Sequence, residues 1–209
     1  MTTKKKIKTE KETKKKEIVN LKKLELARIK LKVIGKSPYI PEPMDFQMLE
    51  RYDKKKSNQV FEKDVRSEEE KLKTKFYYFD EKKNIYGIPV RCFYKSMINA
   101  SSYLFERSEG GKRNIREGIN IVGDIVQLKY KSIKVLKHWG SSAGINKTPK
   151  LILRNAFFDW SCEIEIEYNK NQLSAEQIIN CLNYAGFYCG VGGFRKENSG
   201  NYGCFYVKV

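Results

Sequence analysis

The segment CEIEIEYN, Cys162 to Asn169, alternates without interruption: Cys162, Ile164, Ile166 and Tyr168 fall on one side, Glu163, Glu165 and Glu167 on the other. A period of two places successive side chains on opposite faces of an extended chain, so the segment predicts a strand with one face buried and the other in water. A sheet built from such strands is covered on one side only. A second alternating run, LELARIKLKVIG (Leu24 to Gly35), turns Ala27, Ile29, Leu31 and Val33 one way and Arg28, Lys30 and Lys32 the other. Its outer face is cationic with no acid between the cations.

The covering layer is also legible. SAEQIINCLNYAGF opens on a capping box, Ser174 with Gln177 three residues on. Ala175, Ile178, Ile179, Leu182 and Ala185 form its buried stripe, and Gly186 is placed to end the helix. In YGIPVRCFYKSMINASSYLF, Pro89 suits a first helical turn, and Val90, Phe93, Met97, Ile98, Ser101 and Leu104 share a face. SEGGKRN breaks the chain, with Arg113 and Arg116 beside the break. INIVGDIVQLKYKSIKVLKHW is rich in β-formers, and its apolar parity shifts between Tyr130 and Ile133, which predicts a bulge or a tight reversal. Its outward positions collect Lys129, Lys131, Lys134 and Lys137. YGCFYVKV predicts a closing strand with Phe205, Val207 and Val209 on one face and Tyr206 and Lys208 on the other.

Between the first strand and the first helix, about 36–84, the periodicity is weak. SPYIPEP is proline punctuation, NQVFEKDVRSEEEKLK reads as a short charged helix, and KFYYFD as an aromatic strand ending at the turn DEKKN. So long an irregular stretch reads as an arm-like functional insertion. The order strand, insertion, helix, strands, strand, helix, glycine loop, strand predicts an α+β fold of ferredoxin-like β-α-β-β-α-β type. We read residues 1–23 as a disordered basic tail and 24–209 as one domain.

Charge then narrows the function. The 209 residues hold 42 lysines and arginines against 25 acids, a net +17, of which +7 sits in residues 1–23 and +10 in the rest. A folded part this basic attracts polyanions, which points to nucleic acid. No apolar run reaches membrane-spanning length and no hydrophobic stretch follows the leading lysines, so neither membrane nor signal peptide is expected. Five cysteines without a C-x-x-C spacing and a single histidine argue against a zinc site, and reduced thiols in a cytoplasm are the simplest expectation. No cofactor, metal or small-molecule substrate is inferred.

The last twenty residues, GVGGFRKENSGNYGCFYVKV, crowd glycines at 190, 192, 193, 200 and 203 around Arg195 and Lys196. Glycines permit backbone conformations and approaches that a Cβ forbids, and such a loop is suited to present N–H donors to a phosphate. The pattern G-x-x-x-x-G-K-[ST] is absent and the loop precedes a strand, so it is not a mononucleotide P-loop.

With its two helices, four strands and glycine loop after the second helix, the chain resembles the repeat-associated mysterious protein (RAMP) superfamily, which includes backbone subunits of CRISPR effector complexes. Gly190-Val191-Gly192 matches the first glycine-hydrophobic-glycine triplet of that loop. Gly200-Asn201-Tyr202-Gly203 departs from the second by one extra residue. YGIPVRCFYKSMINA is similar to the proline-led entry into the superfamily's first helix, and YGCFYV distantly to the aromatic strand of RNA-recognition motifs. The likeness spans Leu24 to Gly35 and Tyr86 to Val209 and implies binding of single-stranded RNA or DNA, with subunits associating side by side along the strand in a phage or prokaryotic defence setting. Residues read as binding are Arg28, Lys30, Lys32, Arg113, Arg116, Gly192, Gly193, Arg195, Lys196, Tyr202 and Tyr206: cations for phosphates, aromatic rings for stacking, glycines for close approach.

Some members of the superfamily cut RNA, which makes a metal-independent endoribonuclease the alternative. His138 is the only candidate for histidine-dependent acid–base work; other members cleave with an aspartate on the arm, for which the resemblance makes Asp45, Asp53 and Asp64 candidates. Nothing in their spacing selects among them. No residue is assigned a catalytic role, and the Glu163/Glu165/Glu167 ladder reads as a solvated face.

Overall fold

The computed structural model describes residues 24–43, 66–106, 110–141 and 149–208. The basic tail, Asp45, Asp53 and Asp64 of the insertion, and Val209 lie outside the described residues.

The two alternating runs are neighbours. β1 (Leu26–Gly35) pairs antiparallel with β8 (Ser161–Asn169), from Leu26 opposite Asn169 to Ile34 opposite Ser161. β4 (Ile119–Ile121) joins the far edge of β8, and β9 (Phe205–Lys208) the free edge of β1. The sheet order is β4-β8-β1-β9, antiparallel at every pairing. Parity decides the layers: Leu31, Val33, Cys162, Ile164, Ile166, Phe205 and Val207 are buried, while Arg28, Lys30, Lys32, Glu163, Tyr206 and Lys208 face outward.

Two helices fill the covered side. α2 (Val90–Leu104) follows Pro89 and buries Phe93, Met97 and Ala100. α4 (Ala175–Tyr184) starts at the Ser174/Gln177 capping box and buries Ile178, Cys181 and Leu182. Gly186 does not end this helix. The chain continues into a five-residue π turn, Ala185–Cys189, and stops at Gly190 with φ 75°. Gly186 is required there for another reason: a Cβ would overlap the Phe205 carbonyl, so its absence lets α4 lie close on β9. The Ser96 hydroxyl fastens the turn to α2 by donating to the Gly190 and Ala185 carbonyls, at 3.1 and 3.3 Å.

The insertion contributes α1 (Glu68–Lys73), capped by Ser67 with Glu70, and β2 (Tyr78–Asp80). β2 turns into β3 (Ile85–Pro89), which pairs with β5 (Ile125–Gln127) to make a separate three-stranded sheet, β2-β3-β5. The segment around Arg113 is not a break but a helix, α3 (Gly111–Gly118), anchored by buried Ile115. The parity shift between Tyr130 and Ile133 marks the passage to another sheet. β6 (Ser132–Ser141) and β7 (Pro149–Phe158) form a two-stranded hairpin of their own. Phe157 knits the parts together through ring contacts with Tyr39, Phe76, Tyr86 and Tyr130, and Tyr39 passes the contact on to Trp160. Among the described residues, no helix is long and apolar enough to cross a membrane.

Candidate functional site

The cations of β1 do not stand alone on the outer sheet face. Antiparallel register sets Arg28 opposite Glu167, Lys30 opposite Glu165 and Lys32 opposite Glu163. The Arg28 Nε donates to Glu167 at 2.9 Å, and its guanidinium and the Lys30 ammonium reach Glu165 at 3.6 and 3.8 Å. The hydrogen bond to Glu167, followed by that carboxylate's charge, raises the Arg28 pKa. Lys129 takes up Glu163 at 3.2 Å, leaving Lys32 beside Lys208 on β9. Tyr206 lies in the next row, opposite Ile34, with the Lys36 ammonium 5.5 Å from its ring centroid.

The glycine loop, Gly190 to Gly203, closes on the chain itself. The Gly193 amide donates to the Ile40 carbonyl and the Gly203 amide to that of Pro38, both at 2.8 Å. Within the loop, Val191 donates to Gly203, Tyr202 to Phe194 and Gly200 to Arg195. These amides are committed to the chain itself and are not offered to a phosphate. Gly192 and Gly193 approach the segment Tyr39–Glu42, and at Gly192, with φ 81°, a Cβ would overlap the Ile40 carbonyl; Gly190, Gly200 and Gly203 approach the loop's own backbone.

Arg195 and Lys196 are half-buried rather than free. Arg195 donates to Glu197 at 2.8 Å and to the Gly192 carbonyl at 3.1 Å. Lys196 donates to the Phe187 carbonyl at 2.5 Å with its ammonium 4.2 Å from that ring's centroid. Burial by itself raises the Glu197 carboxyl, but hydrogen bonds from Arg195 and Asn99 (2.7 Å) hold it below its usual value. A depressed carboxyl adds stability above its unfolded pKa and loses it as the pH falls through the folded one. Glu197→Gln should therefore lower the melting temperature slightly at pH 7, with the gap closing below the ordinary carboxylate range. The side chain is partly solvated, so a gap of only a few tenths of a kcal/mol, up to ~1, is expected in thermal melts across pH.

On the loop's other side, Phe194 sits between His138, stacked at 5.0 Å, and the Arg154 guanidinium, 4.1 Å above the ring. Arg154 pairs with Glu42, and Tyr202 meets His138 edge-on at 5.8 Å. The His138 Nε2 is buried without a hydrogen-bond partner, so the imidazole packs the loop against the hairpin. Arg113 pairs with Glu117 at 3.0 Å, and Arg116 is exposed one turn further on. Both belong to α3, which packs on α2 and runs into β4, away from the loop.

Between the loop and the start of α2 lies a cavity of about 440 Å³. Arg91 and Lys95, one helical turn apart and both exposed, line it together with Gly192 and the Arg195–Glu197 pair. Neither Arg91 nor Lys95 has an acidic partner among the described residues. The helix begins without a side-chain cap and has no acid in its first turn, so its partial positive charge is uncompensated. The Tyr39 hydroxyl, fully buried in the wall and without a hydrogen-bond partner, adds unused polar capacity. Burial lifts the Tyr39 pKa well above its ordinary value, so it stays a neutral donor, and burial likewise raises the Cys92 thiol beside it. The sequence carries this pair as two cations in the first turns of an acid-free helix start, a weaker mark than the apolar stripe beside it. Burial pushes Cys162, Cys181 and Cys189 up to about 12, which keeps these thiols protonated and unreactive at neutral pH.

No protein-family model and no curated protein matches the chain by sequence. By structure, the chain is similar to one from the cryo-EM structure of the Type III-B Cmr-beta bound to cognate target RNA. That match has a TM-score of 0.54 and 10% identity over 88% of this chain and 59% of the other. The crystal structure of Cmr6 from Pyrococcus furiosus aligns over 89% of this chain and 100% of that one, at 9% identity and a TM-score of 0.41. The chain thus spans about 59% of the length of the Cmr-beta chain whose fold it shares. The resemblance to RAMP proteins of CRISPR effector complexes holds at the level of fold.

Proposed function

We propose that this chain binds single-stranded nucleic acid without cleaving it, holding the backbone at the cavity between α2 and the glycine loop. One observation carries the reading: Arg91 and Lys95 are cations without acidic partners among the described residues, at a helix start with no side-chain cap, beside a buried tyrosine hydroxyl with no hydrogen-bond partner among those residues. Spare positive charge and spare hydrogen-bonding capacity at one place suit a phosphate. Gly192 lines the cavity with its backbone, and Arg195 and Lys196 act from within the loop by shaping it. Arg28, Lys30, Lys32 and Tyr206 form a second contact surface on the open sheet face, weaker at Arg28 and Lys30 because a glutamate must be released there before a phosphate is engaged. Arg113, Arg116 and Tyr202 remain peripheral contacts in this reading.

We read the core as ferredoxin-like. Support comes from the β4-β8-β1-β9 order with α2 and α4 on one face, which follows from a β-α-β-β-α-β chain whose two βαβ units interlock. On long strands the subunits sit side by side, as strand-tracking modules tend to do.

The test is titration of the full chain against labelled oligouridylate, oligothymidylate and a duplex. Single strands should bind in preference, with log affinity falling linearly with log salt by ~0.7 per phosphate contact. Sedimentation of the same mixtures should show larger assemblies on longer strands. Absence of binding at low salt sinks the reading, and metal-independent shortening of the labelled RNA would replace it with the endoribonuclease alternative.

A further inference from the structure

Among the described residues, cations without an acidic partner also stand away from the sheet face. From Ile125 to Phe158 the sequence holds no aspartate or glutamate. That stretch includes the whole β6–β7 hairpin; Lys131 just before it and Lys134 and Lys137 on β6 are exposed and have no acidic partner among the described residues. The contrast is with Arg28 and Lys30 of β1, each held by a glutamate of β8.

The hairpin has two unlike faces. His138 turns inward onto Phe194 and the glycine loop. The alternate positions Val135, Lys137 and Trp139 share the other face, with Leu151 opposite Trp139 across the hairpin. There Trp139 is 78% exposed, Val135 48% and Leu151 37%. The chain's other tryptophan, Trp160, is 1% exposed, and its indole donates to the Ser37 carbonyl. An indole is among the most costly side chains to leave in water, and here it stands two residues from a free ammonium.

We infer that Trp139 is a base-stacking platform for the bound single strand, with Lys137 on the same face meeting its phosphates. The inference rests on the nucleic-acid reading above and adds the element that grips the bases. An apolar patch alone would suit a protein partner equally, but Lys131, Lys134 and Lys137, exposed and without an acidic partner among the described residues, select a polyanion that also carries flat rings. Single-stranded nucleic acid supplies both, and stacking on an aromatic tolerates any sequence.

Because Trp160 is enclosed, Trp139 is the solvent-exposed emitter, so the chain carries its own probe. Addition of oligouridylate or oligothymidylate at low salt should quench tryptophan emission. Trp139→Ala should lose the quench and bind about tenfold more weakly, within the range for one lost stacking contact, while Trp139→Phe should stay within about threefold. Both substitutions fall on an exposed position and should leave the circular dichroism spectrum and melting temperature unchanged. Unaltered affinity of Trp139→Ala overturns the platform while leaving the cavity reading standing. A Trp139→Ala variant whose only defect is self-association without oligonucleotide overturns it in favour of a contact between copies. Failure of the unsubstituted chain to bind overturns both readings.

Discussion

Replacing Arg91 and Lys95 together by alanine should reduce single-strand affinity roughly tenfold or more at low salt and flatten the log–log salt dependence by ~1.4, two phosphate contacts at ~0.7 each. The fold should not notice. Both side chains are exposed at the start of α2 and have no ion pair among the described residues, so stability should stay within about 0.5 kcal/mol. The superficially similar pair in the glycine loop behaves differently. Arg195→Ala removes the bonds to Glu197 and the Gly192 carbonyl, and Lys196→Ala the bond to Phe187, so that double variant mixes lost binding with a loosened loop. Anisotropy titrations at several salt concentrations, with thermal melts alongside, separate the two. An unchanged slope in the Arg91/Lys95 variant would remove the cavity as a backbone site.

Gly203→Ala should be the most damaging single change in the loop. Gly203 has φ 68°, a conformation L residues resist, and a Cβ there would overlap the Val191 carbonyl, a backbone atom that cannot swing aside. Its amide also holds the loop to Pro38. A loss of about 3 kcal/mol is expected, since strained backbone and steric overlap act together. At ~2–4 °C per kcal/mol for a domain of this size, the melting temperature should fall by roughly 6–12 °C. Gly193→Ala is the comparison: the nearest atoms to its Cβ belong to the Glu42 side chain, at 2.6 to 2.9 Å, which can swing away at the cost of disturbing its pair with Arg154. That variant should lose about 1 kcal/mol. Equal melting temperatures for the two would mean that the loop does not depend on the close approach to Val191.

Much of the fold was legible wherever a segment carries its own period. β1, β8 and β9 alternate, and α4 announces its start with Ser174 and Gln177; each stands where its pattern places it. Segments without a period were misread or missed. β7 contains Leu151, Ile152 and Leu153 in succession, so no face is marked, and its strand character comes from pairing with β6. α3 has one buried apolar side chain, Ile115, too few to show a helical repeat, and begins at glycines that read as a break. β3 was absorbed into the approach to α2 because Pro89 closes the strand and caps the helix at the same residue.

By itself, the sequence determined which side chains of each strand share a face, that two helices cover one side of a sheet, and that the folded part is strongly basic. Only the tertiary structure decided which cations are free. Strand parity is a property of one segment, but the neighbour across the ladder is chosen by the whole chain, and β1 was given the glutamate strand. The same holds for Gly192 and Gly193: permissive backbone is written locally, whereas the partner it approaches, here Tyr39–Glu42, comes from a segment some 150 residues away. Coulomb energy and steric overlap depend on distance through space, so a charge or a missing Cβ acquires its role only when the fold brings its neighbour within reach.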